Sequence, residues 1–102
     1  MNKLTLNSTE FTINNYHRYT DISKDNIESY ASIQFENGTN YNDLASLGLI
    51  TRLYISIDGN TVYSLQSINA RVTNINENLT EEGVVMTAQI RFEQEDSGAE
   101  EI

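Results

Sequence analysis

The chain has 102 residues, a formal net charge of −9, and neither cysteine nor proline. This length corresponds to one domain that can bury a single core without disulfides. The lack of cysteine excludes disulfides and thiolate metal sites, and six basic against 15 acidic residues argue against nucleic-acid binding, which requires clustered cations.

The first predicted element is a β-hairpin. Its apolar residues alternate with polar ones on either side of a predicted turn at residues 7–10. These alternating residues are Leu4, Leu6, Phe11 and Ile13. The segment 16–19 follows the hairpin, and a polar loop is predicted over residues 21–26.

Residues 27–35 show a period of two, which predicts a β-strand. Its apolar side begins at Ile27 and ends at Phe35, and Glu28 and Gln34 belong to the polar side. A helix over residues 23–31, capped by Ser23, is the competing prediction.

A short helix is predicted around Leu44 and Leu47. Thr39 or Asn40 can cap its start, and Gly48 is placed to end it. Because two helical turns cannot stand alone, the two leucines are expected to pack on the sheet.

Two further hairpins are predicted in the second half of the chain. Asp58 and Gly59 form a strong turn signal between a strand through Leu53, Ile55 and Ile57 and a return strand at residues 61–66. Turns at 58–59 and at 59–60 are both possible, so the register stays open.

The last hairpin pairs residues 68–76 with residues 84–92, across a turn at 77–83. The apolar pattern shifts by one residue near Asn74 and Ile75, which predicts a β-bulge.

Together these elements predict a mainly β fold, an antiparallel β-sandwich or rolled sheet of six to seven strands with one short α-helix. Residues 1–92 are predicted to form one β-rich domain and residues 93–102 an acidic tail. Five of the 15 acidic residues lie in that tail, and without it six basic and ten acidic residues leave a net charge of −4.

Catalytic and metal-binding patterns are missing from the sequence. His17 is the single histidine, and no nucleophile or carboxylate partner for it can be read from the sequence. We therefore expect no enzyme activity, no cofactor, no nucleic-acid partner and no small-molecule ligand. No apolar stretch reaches the length of a membrane span, and residues 1–10 lack the apolar core of a secretion signal.

The polar residues favour assembly with other protein subunits. No lysine follows Lys24 and no proline occurs, although lysine and proline commonly protect exposed strand edges. Arginine and tyrosine are enriched at protein interfaces. The candidate interface residues are Arg52, Tyr54, Tyr63, Arg71, Arg91, His17 and Arg18.

The opening residues 3–7 and 11–14, with the later pair 68–77 and 84–92, resemble small bacteriophage virion structural proteins, which often begin with a short β-hairpin and end in a long one. The resemblance implies a symmetric, self-assembling subunit of the head, neck, tail or head fibre. Its partners would be copies of itself and other virion proteins, and its location the virion, assembled in the host cytoplasm.

Two alternatives come from other functional classes. The first is an acidic inhibitor that binds a basic host defence protein, and it depends on the charge of residues 93–102. The second is a carbohydrate-binding module, which requires that some of the six tyrosines cluster on one surface.

Overall fold

The computed structural model describes residues 2–23, 27–36, 39–81 and 83–93. The elements, in chain order, are β1 (Asn2–Leu6), β2 (Thr9–Ile22), β3 (Ile27–Phe35), α1 (Tyr41–Ala45), β4 (Ile50–Ile57), β5 (Asn60–Thr80) and β6 (Gly83–Phe92). The prediction of a mainly β antiparallel fold with one short helix is confirmed. Of the predicted acidic tail, 93–102, only Glu93 lies within the described residues.

The sheet rolls up into a closed barrel with the strand order β1-β2-β3-β6-β5-β4. Closure occurs because β1 pairs with both β2 and β4, so that Leu4 lies opposite Phe11 on one side and Ile55 on the other. A closed sheet satisfies its own border hydrogen bonds. The chain itself therefore provides part of the edge protection that the sequence analysis attributed to neighbouring subunits.

Alternating apolar residues fill the barrel. In β6, Met86, Ala88, Ile90 and Phe92 are buried, while Arg91 on the opposite face is exposed. The same alternation places buried side chains of all six strands, together with Leu44 of α1, in one core. The inward face predicted for residues 27–35 is confirmed from Ser29 onward, and the competing helix at residues 23–31 is wrong.

The two predicted hairpin turns are present, and the first is shorter than expected. The first turn contains only Asn7 and Ser8, because β2 already begins at Thr9. Ile57 pairs with Asn60, which places Asp58 and Gly59 in the second turn and settles its register. Their φ angles of 51° and 87° suit the tight turn that joins twisted antiparallel strands.

Two predicted loops are partly strand. β2 continues through Ile22 into the predicted loop at 21–26, of which residues 24–26 lie outside the described part of the chain. β5 continues to Thr80, through most of the predicted turn at 77–83. The predicted bulge is confirmed by a register shift between Val72 and Asn74.

Helix α1 closes one end of the barrel. The Asn40 side chain accepts a 2.8 Å hydrogen bond from the backbone of Asn42, and buried Leu44 packs into the core, as predicted. The helix ends at Ala45, before Gly48, which adopts a φ of 63° in the following loop.

At each end of the barrel one hairpin extends beyond its neighbours. Ser29 of β3 pairs with Phe92, and Phe35 pairs with Met86. The β2–β3 hairpin therefore projects at one end and the β5–β6 hairpin at the other. This arrangement positions every surface described below.

Candidate functional site

A cleft of about 720 Å³ lies at the open end of the barrel, away from α1. One wall is β2 from Asn14 to Thr20, and the other is formed by β4 and β5 around Ile57 and Val62. The cleft lies beyond the pair that Asn2 forms with Ile13, beside the part of β2 that continues from there to Ile22. Its volume falls in the range of about 300–1,000 Å³ that is typical of ligand sites.

The guanidinium group of Arg18 projects into the barrel beside this cleft. A bulge at Asn14 shifts the alternation of β2, so that Arg18 lies opposite the inward-facing Ala31. The guanidinium carbon lies 4.3 Å from the centre of the Phe92 ring, within the range of a cation–π contact.

Hydrogen bonds fix the orientation of Arg18. Its Nε and Nη2 atoms donate to the hydroxyl of buried Ser29 at 3.3 and 3.2 Å, and Nη1 donates to the Tyr63 hydroxyl at 3.3 Å. The contact with Tyr63 joins the β2 wall to β5. The ring of Tyr63 also packs against that of Tyr16, with centroids 5.7 Å apart.

The cleft combines apolar and polar lining residues. Ile13 and Ile55 are buried at its base, and Ile57 and Val62 are 43% and 44% exposed at its rim. Arg18 is the single charged side chain among the described residues that line it. The lining therefore offers an apolar surface with one cation and several amide and hydroxyl groups.

A second surface lies on the outside of the barrel and is called here the outer row. It runs across four strands through Tyr19, Tyr30, Arg91 and Arg71, which are successive cross-strand neighbours. The Tyr19 and Tyr30 rings stack at 5.4 Å, and His17 stacks on Tyr19 at 5.9 Å.

Polar contacts order the outer row. Gln89 donates to the Tyr19 hydroxyl at 2.6 Å, and the Tyr30 hydroxyl donates to Glu28 at 2.6 Å. The hydrogen bond to Glu28 is the main cause that raises the pKa of Tyr30 above its usual value of 10.0, because ionised tyrosine could no longer donate.

The two arginines of the outer row lie directly opposite each other, which would be repulsive without nearby acids. Arg91 forms an ion pair with Glu28 at 3.5 Å, and Arg71 forms one with Glu93 at 3.1 Å. All four side chains are substantially exposed, so these pairs contribute little to stability and keep the surface close to neutral.

The two projecting hairpins form a third set of surfaces. Among the described residues, β2 beyond Asn15 pairs only with β3, and β5 beyond Arg71 pairs only with β6. Each hairpin ends in an exposed cross-strand apolar pair, called here a tip pair. Ile22 and Ile27 are 78% and 48% exposed at one end, and Leu79 and Val84 are 84% and 49% exposed at the other.

The structure divides the seven candidate interface residues among three places. His17, Arg71 and Arg91 come together along the outer row, and Arg18 and Tyr63 meet inside the cleft. Arg52 and Tyr54 lie apart from both, on β4. Their role in an interface remains a prediction.

The sequence did not predict several features of these surfaces. Tyr19 and Tyr30 gave only a dispersed tyrosine pattern, because their pairing depends on the register of β2 with β3. The inward direction of Arg18 depends on the bulge at Asn14, for which the sequence gives no glycine or apolar signal. Tyr16 and Tyr19, a residue type that favours strands, were the available sign that β2 continues.

Within the described residues, no group of three or more His, Asp or Glu side chains is placed to hold a metal ion. No helix in the same residues is long and apolar enough to span a membrane.

Comparisons of the chain with protein-family models, with curated proteins and with solved structures each gave no match. Its function must therefore be inferred from its own residues and geometry.

Proposed function

We propose that the chain is a non-enzymatic structural subunit that self-assembles through its projecting hairpins. The observation that carries this proposal is the presence of tip pairs at both ends of the barrel, on strand segments 15–22 and 71–80, which contain neither lysine nor proline. Fully burying one isoleucine, leucine or valine side chain contributes about 1.5–3 kcal/mol, so the tip pairs are costly to leave in water.

The charges on the extended edges favour contact between copies. Residues 15–22 of β2 contain one base, Arg18, and one acid, Asp21, and residues 71–80 of β5 contain Arg71 and Glu77. A second copy can therefore approach either edge without a block of like charge. Because the tip pairs lie at opposite ends, contacts between unlike ends would build rings or stacks.

The sequence resemblance supports placing this subunit in a bacteriophage particle, with other virion proteins as further partners. The outer row fits such a role, because its tyrosines are held by hydrogen bonds and its arginines by ion pairs, and tyrosine and arginine are common interface anchors.

Sedimentation velocity over a range of protein concentrations tests the proposal. The unmodified chain is expected to associate with increasing concentration, and Ile22→Lys and Leu79→Lys are each expected to weaken association. Asn42→Lys, at an exposed position of α1, is the matched control and should associate like the unmodified chain. A chain that stays monomeric up to about 1 mM, where even weak contacts of about 4 kcal/mol are populated, would contradict self-assembly.

The carbohydrate-binding alternative has one supporting observation, the proximity of Tyr19 to Tyr30 and of Tyr16 to Tyr63. However, Tyr19 lies between His17 and Tyr30, and the planes are only 21–22° from parallel, so its faces are turned toward other rings. A sugar needs an open ring face. The acidic-inhibitor alternative depends on residues 93–102, of which only Glu93 lies within the described part of the chain.

A further inference from the structure

We infer that the cleft at the open end of the barrel binds an extended acidic segment of a partner protein, which adds a strand beside β2 and places a carboxylate near Arg18. This inference rests on the proposed function, since it names the chemistry of a partner in the assembly.

The position of the cleft indicates a strand as the occupant. β1 lies between β2 and β4 as far as Asn2, which pairs with Ile13 and with Ile57. Beyond that point β2 continues to Ile22 and has no partner on its β1 side among the described residues. The cleft lies beside this part of β2, and six residues of β2 between Asn14 and Thr20 line it.

The backbone of β2 offers the contacts that an added strand uses. An unpaired edge presents alternating N–H and C=O groups, which give an extended peptide its affinity regardless of its sequence. Residues 15–22 span about 23 Å at about 3.3 Å per residue, enough for a segment of six to eight residues. No proline interrupts this edge.

The side chains of the cleft specify the segment. Alternate residues of an added strand would point into the barrel, toward Ile13, Ile55 and the rim residue Val62. These neighbours favour apolar side chains. At the level of Arg18 and the Tyr63 hydroxyl, a carboxylate would accept charge-assisted hydrogen bonds.

Arg18 is well prepared to bind such a group. Its contacts with Ser29 and Phe92 hold the guanidinium in one orientation, which lowers the entropy cost of binding. Arg18 is accompanied by no carboxylate among the described residues that line the cleft.

Fluorescence polarisation with a dye-labelled peptide tests the inference. The probe is the heptapeptide Thr-Val-Thr-Glu-Thr-Val-Thr, in which two valines and a central glutamate share one face. Its control has glutamine at the centre. We expect the glutamate peptide to bind about tenfold or more tightly than the glutamine peptide, as one charge-assisted hydrogen bond provides.

Three protein variants test the location of the site. Val62→Glu places a carboxylate at the rim of the cleft and is expected to weaken binding about tenfold or more. Thr61→Glu adds the same charge at the neighbouring exposed position, which does not line the cleft, and should bind like the unmodified chain. Tyr63→Phe should reduce the preference for glutamate over glutamine.

Three results would overturn the inference. The first is no binding of the glutamate peptide at about 1 mM. The second is that a glutamate peptide with an N-methylated backbone binds as tightly as the unmethylated one. The third is that free heptanoate displaces the labelled peptide as well as the unlabelled glutamate peptide does, which would indicate a small-molecule carboxylate site. If the chain stays monomeric but binds the glutamate peptide, peptide binding at the cleft is supported and self-assembly is contradicted. The two proposals can therefore be tested separately.

Discussion

Arg18 and Phe92 stack on each other inside the open end of the barrel, with the guanidinium carbon 4.3 Å from the ring centre. The same guanidinium donates to Ser29 and Tyr63, so it links β2 with β3, β5 and β6. We expect Arg18→Met to lower the free energy of unfolding by about 1–3 kcal/mol, because it removes the cation–π contact and three hydrogen bonds while keeping a long apolar side chain.

Urea denaturation measures this loss. The control is Arg52→Met, at an exposed position of β4, where a change within about 0.5 kcal/mol is expected. Equal effects of the two substitutions would mean that Arg18 does not stabilise the barrel.

The two buried serines provide a matched pair. Ser29 accepts hydrogen bonds from Arg18, whereas the Ser64 hydroxyl, also buried, has no hydrogen-bond partner among the described residues. Ser29→Ala is expected to destabilise the chain by about 1–2 kcal/mol, because it leaves donors of Arg18 unsatisfied. Ser64→Ala is expected to be neutral or to stabilise by up to about 1 kcal/mol, because it removes a desolvated hydroxyl. Thermal unfolding of both variants measures this difference. A larger loss of stability in Ser64→Ala than in Ser29→Ala would mean that the Ser64 hydroxyl is hydrogen-bonded in solution.

The turn between β4 and β5 requires a positive φ at both of its residues, Asp58 and Gly59. Gly59 has a φ of 87°, and a Cβ atom added there would contact nothing within 4 Å. Gly59→Ala should therefore cost about 1–2 kcal/mol of unfolding free energy through the positive φ, without a steric clash. Gly59→Asn should cost less, since asparagine tolerates this region better. Chemical denaturation that ranks asparagine below alanine would contradict this explanation.

The sequence predicted the parts of the fold that local patterns determine. Alternating residues 84–92 identified β6, and Asp58 with Gly59 marked a hairpin whose turn needs two positive φ angles. Side-chain chemistry limited the cap of α1 to Thr39 or Asn40, and the structure shows Asn40 in that position. Each of these signals lies within a few residues of the element that it specifies.

Features that depend on distant pairing could not be predicted in the same way. Barrel closure requires Leu4 to pair with Ile55, 51 positions away, and local alternation is the same in an open sheet. The continuous β5 was also missed, because Ser67 has a φ of 57° at the register shift between β4 and β5, three residues before Ala70, which pairs with both β4 and β6. The cleft and the outer row depend on those pairings, so they became visible only in the folded chain.

The hydrogen bond from Tyr30 to Glu28 makes the stability of the folded chain depend on pH in the alkaline range. It raises the pKa of Tyr30, so the protonated phenol is favoured in the folded chain over the unfolded chain. The associated stabilisation is present below the ordinary tyrosine pKa of 10.0 and is lost as the pH rises through the higher folded-state value.

We expect Glu28→Gln to lower the pKa of Tyr30 toward 10.0, because both the carboxylate acceptor and its charge are removed. NMR titration of ¹³C-labelled tyrosine, assigned with Tyr30→Phe, measures this shift, and Glu10→Gln, far from the outer row, is the control for the loss of one charge. An unchanged Tyr30 titration in Glu28→Gln would show that the hydrogen bond is not formed in solution.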